Sequence, residues 1–83
     1  MNHHSIVRLC EALGMTVRPT QCYGVGKSFS ATLGNAHAPR VYWSTSSELG
    51  LLGSPRVLGR DGHDTHARNL NEIRFFVNLP KGK

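Results

Sequence analysis

Residues 72–79 carry the longest alternation of apolar and other positions in the chain. Ile73, Phe75, Val77 and Leu79 interleave with Glu72, Arg74, Phe76 and Asn78. A period of two places one apolar row on one face of a strand, and Pro80, which has no N–H for a ladder, ends it. The same stretch also carries a helical period. Leu70, Ile73 and Val77 fall at helical spacing, with Asp64 or Thr65 available as a cap and Pro80 as a stop. Asn69, Asn71 and Asn78 are weak helix formers, and the β-branched and aromatic residues from Ile73 to Val77 favour a strand. The alternation therefore predicts a core strand against which the remainder packs.

Earlier in the chain, Ile6, Leu9, Cys10 and Leu13 occupy positions i, i+3, i+4 and i+7, which predicts a helix capped by Ser5 and closed by Gly14. His3 and His4 precede it as a frayed end, and residues 80–83 fray at the other terminus. Residues 15–18 read as a short strand stopped by Pro19, and 20–27 as a glycine loop. Residues 28–33 alternate, with Phe29, Ala31 and Leu33 opposite Ser28, Ser30 and Thr32. Gly34 and Asn35 offer a turn into a third strand, 40–45, with Val41 and Trp43 on one face and Tyr42 on the other. Ser46 or Ser47 caps a short helix or turn over 48–52, residues 56–58 form a short strand, and 63–71 form a loop or a single helical turn. These elements give an α+β domain: the N-terminal helix packs on a small, mostly antiparallel sheet of four or five strands. Its stripe covers Phe29, Leu33, Val41, Trp43, Ile73, Phe75 and Val77.

Length and charge narrow the picture. At 83 residues the chain supports one domain, residues 1–83, with a thin core. The net charge is +5, and arginine supplies most of it. Arginine binds phosphate and carboxylate in a bidentate fork, so a polyanion partner is plausible. No signal-peptide pattern and no long apolar run is present, so the expectation is a soluble, cytoplasmic protein without a membrane partner. Cys10, on the apolar face of the first helix, reads as a small buried hydrophobe and not as half of a disulfide with Cys22.

Two stretches carry hints of chemistry. Residues 24–28, Gly-Val-Gly-Lys-Ser, resemble the tail of a Walker A loop, whose amides and lysine surround phosphates. Gln21 stands where that pattern has its first glycine, and a strand follows where it has a helix. What remains is a loop able to touch a phosphate with Lys27 and its amides. Asp61, His63 and His66 place ligand-type side chains within six residues, as a metal site requires. With Asn69 or Asn71 they resemble in part the Asp-His…Asn core of HNH-type nucleases. That resemblance implies metal-dependent hydrolysis, and it calls for a helix after the Asn, where the alternation reads as a strand. The balance of these features predicts a protein that is not an enzyme and needs no cofactor.

The aromatic and arginine positions point to binding. On the predicted strands, Tyr42 and Phe76 face away from the core beside Arg40 and Arg74. Rings interleaved with guanidinium groups can stack bases while the cations meet phosphates, with Lys27, Arg56 and Arg60 adding charge. The first expectation is a nucleic-acid-binding accessory or regulatory protein. The alternative is a protein-binding inhibitor or a homodimeric interaction module, of the kind a phage or mobile element encodes against a host complex. The third is a metal-dependent hydrolase at the loop of His63 and His66.

Overall fold

The computed structural model describes residues 1–20, 26–46 and 50–79. In chain order the elements are α1 (His3–Ala12), β1 (Thr16–Thr20), β2 (Lys27–Thr32), β3 (Arg40–Thr45), β4 (Arg56–Leu58), β5 (Asp64–His66) and α2 (Leu70–Val77). The strands form one sheet in the order β1-β2-β3-β4-β5, with every pair antiparallel. The α+β class, the N-terminal helix and the antiparallel sheet are as the sequence predicts. The C-terminal element is not.

Residues 72–79 are not a strand. They lie in and just after α2, and the reason is capping. The Asn69 side chain accepts a hydrogen bond from the Glu72 backbone N–H at 2.9 Å, satisfying a donor that the first helical turn leaves free. Glu72 also accepts the Arg68 backbone N–H at 2.8 Å. At the other end, Asn78 is the C-cap. Two of the three asparagines that argued against a helix thus stand at its ends, where asparagine is favourable or tolerated. The stripe Ile73 and Val77, with Leu70 and Phe76 partly buried beside it, is the helical one. Phe75, the residue that only the strand period would bury, is 61% exposed.

The other helix starts earlier than its periodicity suggested. Asn2 is the N-cap of α1, and Ser5 is the reciprocal partner of a capping box: the Asn2 side chain accepts from the Ser5 N–H, and the Ser5 hydroxyl oxygen accepts from the Asn2 N–H, both at 2.9 Å. His3 and His4, expected to fray, are therefore its first turn. Gly14 follows the C-cap Leu13 with φ +80°, a left-handed position that glycine occupies at low cost.

Three further boundaries differ. β1 continues through Pro19 to Thr20, which is tolerable because β1 is an edge strand, where proline is admitted. Residues 64–66 pair with β4 instead of looping. In the predicted 48–52 turn, residues 47–49 lie outside the described residues, and Leu51 makes an antiparallel bridge to Thr45.

Both helices lie on one side of the sheet. Ile6, Leu9 and Cys10 from α1 and Ile73 and Val77 from α2 share a single core with Ala31, Val41, Trp43 and Val57. Cys10 is fully buried, and burial pushes its thiol up to about 12. It is packing material, as expected; Cys22 lies outside the described residues.

Candidate functional site

Strand registers fix what the two faces of the sheet present. Residues directly opposite one another across a ladder point the same way. The helix-covered face carries the row Val17, Ala31, Val41, Val57, Thr65 and the row Pro19, Phe29, Trp43. The opposite face carries Arg18, Ser30, Tyr42, Arg56 and His66 in one row and Thr16, Thr32, Arg40, Leu58 and Asp64 in the next. Thr20, Ser28 and Ser44 complete it. No residue of these outer rows is buried, so no described element covers them.

Of the residues singled out in sequence, Arg40, Tyr42 and Arg56 meet on this face. Arg74 and Phe76 do not. They sit on α2, across the sheet, and Phe76 packs against the core instead of facing outward. The proposed four-residue patch of Arg40, Tyr42, Arg74 and Phe76 is therefore split. Lys27 begins β2 on the parity of Phe29 and Ala31, so it belongs to the end of the helix-side row. Arg60 lies in the β4–β5 turn, where it lines an apolar cleft of about 380 Å³ with Leu33, Ala36, Ala38 and Pro39. Arg18 and Asp64 were missed, and His66, singled out only as a metal ligand, stands on this face as well. Arg18 could have been found from the parity of β1, since Val17 must face the core; the other two required β5.

Electrostatics divides the outer arginines into two kinds. Asp64 accepts the Tyr42 hydroxyl and, at 3.3 Å, the Arg56 Nε–H. The Arg56 guanidinium also lies 5.6 Å from the centre of the Tyr42 ring, within cation–π range. Burial, followed by the bond to Asp64, raises the Tyr42 hydroxyl above the ordinary tyrosine value, so it stays protonated and donating. Arg56 is thus held beside a carboxylate, in a pair that solvent still reaches. Arg18 and Arg40 meet no carboxylate among the described residues. With Thr32, Gly34, Asn35 and Ala36 they line a polar cleft of about 280 Å³ between β1 and the β2–β3 loop.

The stretch of Asp61, His63 and His66 does not converge. Asp61 holds its own turn: its carboxylate accepts the His63 N–H at 3.1 Å and pairs with His63 Nδ1 at 2.9 Å. Those bonds lower the Asp61 carboxyl and raise the His63 imidazole relative to their ordinary values. His66 stands on the outer sheet face opposite Arg56. A helix does follow Asn69, as the HNH-type pattern requires, but the Asn69 carbonyl is committed to capping it. Among the described residues, no three His, Cys, Asp or Glu side chains come together in a way that could hold one metal ion. Nor does Lys27-Ser28 open a helix as a Walker A loop would: both residues are in β2, and the Ser28 hydroxyl is bonded to that of Ser44 at 3.0 Å.

No helix is long and apolar enough to cross a membrane among the described residues. Compared with protein-family models, curated proteins and solved structures, the chain matches none.

Proposed function

We propose that the protein binds nucleic acid on the outer face of its sheet, as a non-enzymatic accessory or regulatory protein. The supporting observation is the asymmetry of the fold. Both helices take one face, and the other is left carrying Arg18, Arg40, Arg56 and Tyr42 among serine and threonine hydroxyls. Guanidinium and hydroxyl groups are the side chains that most often meet phosphate oxygens. A net charge of +5 favours association with a polyanion. The test is fluorescence anisotropy with labelled oligonucleotides at low salt. Affinity should fall steeply as salt rises, and Arg18→Gln or Arg40→Gln should weaken it. A flat titration against every strand would discard the proposal.

A second proposal, a protein-binding or homodimeric module, draws on α2. Phe75 is 61% exposed there, edge-on to Phe76 at 5.4 Å and next to Arg74. Aromatic and arginine side chains dominate interface energetics. Light scattering tests the homodimer: a dimer that Phe75→Ser converts to monomer supports it, and a wild-type monomer at high concentration rejects it.

A further inference from the structure

We infer, on top of the nucleic-acid proposal and dependent on it, that the cleft between Arg18 and Arg40 takes the phosphomonoester at the end of a strand, in preference to the phosphodiesters along it.

The site is built from three strands and a turn. Arg40 opens β3 opposite Thr32, and Arg18 stands on β1 opposite Ser30. The two arginines therefore lie on either side of β2, in neighbouring rows of the outer face. Two strand spacings and one two-residue step part their backbones by about 12 Å, so an anion midway is within reach of both long side chains. Between them β2 offers only Ser30 and Thr32, and the Thr32 hydroxyl donates to the Gly34 carbonyl at 3.2 Å. The turn after β2 is closed by the Ala36 N–H, which donates to the Leu33 carbonyl at 3.0 Å. Gly34, at φ +58°, supplies the left-handed residue that a tight hairpin turn favours. Gly34, Asn35 and Ala36 then line the cleft of about 280 Å³ with Thr32 and the two arginines.

Charge selects the ligand. Among the described residues neither arginine meets a carboxylate and no acidic side chain lines the cleft, so it presents two uncompensated cations. A phosphodiester brings a single negative charge. A phosphomonoester brings close to two at neutral pH, with three acceptor oxygens that both guanidinium groups can bond at once. Position selects the end of a strand. The turn stands across the end of the rows on β2 and β3, so a strand lying along them toward Thr32 meets residues 34–36 and stops there. No other cation of the sheet is placed this way. Arg56 is paired with Asp64, and Arg60 stands alone among the apolar walls formed by Leu33, Ala36, Ala38 and Pro39.

Anisotropy at one fixed salt concentration tests the inference, with one internally labelled single strand in four forms: bare ends, a 5′-phosphate, a 3′-phosphate, and the preferred terminal phosphate capped as its methyl diester. Wild type should bind one phosphorylated form roughly fivefold more tightly than the bare strand, within the range of a solvent-exposed ion pair. The methyl-capped form should bind close to the bare strand. Arg18→Gln and Arg40→Gln should each bring the phosphorylated-to-bare ratio close to one, whereas Arg8→Gln, on the exposed side of α1, should keep it. Equal affinity for phosphorylated and bare strands would overturn the inference and leave the polyanion proposal standing. A methyl-capped strand that binds as tightly as the monoester, or a preference that survives both sheet variants, would overturn it as well. Absence of binding to every form would overturn both readings.

Discussion

At the scale of single residues, His3 joins the first turn of α1 to the sheet. Its Nδ1 accepts a hydrogen bond from the Trp43 indole N–H at 3.1 Å, and its ring packs on Phe29 with centroids 4.5 Å apart. Desolvation, and then the neighbouring His4, lower the His3 imidazole below the ordinary value. The folded state thus binds fewer protons here than the unfolded state. The sign follows: this contribution to stability is complete above the ordinary histidine value of about 6.5 and declines as pH falls below it. Protonation would set two N–H donors against each other. Urea titrations across this range should show wild type losing stability on acidification relative to His3→Phe, with no difference in slope between them if the contact is unimportant. Asp64 offers a second residue-scale outcome. Its carboxylate occupies Arg56, so Asp64→Asn should release that cation. The salt dependence of single-strand affinity should then steepen by about 0.7 per released charge, whereas a shallower slope would count against binding on this face.

At the scale of elements, α2 shows where periodicity alone misleads. Ile73 and Val77 satisfy both a period of two and a period of 3.6, so they could not discriminate. The decisive signal was positional: Asn69 followed three residues later by Glu72 is a helix-start signature, and asparagine at a cap carries the opposite weight from asparagine inside a helix. The consequence is measurable. Ile73→Ala should cost about 2–5 kcal/mol, because a fully buried side chain leaves a cavity. Asn69→Ala should cost about 1 kcal/mol through the lost cap. Phe75→Ser should shift stability by less than about 0.5 kcal/mol. Denaturant midpoints check all three, and a large loss from Phe75→Ser would contradict the helical assignment. α1 and the β2–β3 hairpin were legible because their patterns had a single period: Ile6, Leu9, Cys10 and Leu13 in one case, Phe29 and Ala31 facing Val41 and Trp43 in the other. β5 was not, because Asp64, Thr65 and His66 have no apolar row. They are a strand only because β4 offers them an edge.

At the scale of the whole molecule, the described elements cover the sheet on one face only. The described residues supply two short helices, and both are used on the same side. The outer face therefore keeps what its strands' alternate positions carry: hydroxyls, three arginines, the Tyr42 and His66 rings, Leu58 and Asp64. The sequence indicated part of this surface correctly, because the parity of β3 alone sets Arg40 and Tyr42 against Val41 and Trp43. It could not place Arg74 and Phe76, whose side depends on whether residues 72–79 are pleated or coiled. On the proposed function, charge on the open face binds and charge on the helical face does not. The decisive comparison is the salt dependence of single-strand affinity for two double variants, Arg18→Gln with Arg40→Gln on the sheet and Arg8→Gln with Arg74→Gln on the exposed sides of α1 and α2, none of the four meeting a carboxylate among the described residues. The sheet pair should reduce the log–log slope by about 1.4, two charges at about 0.7 each, while the helix pair leaves it unchanged. An equal reduction from both pairs, or a larger one from the helix pair, would rule out the open face as the binding surface.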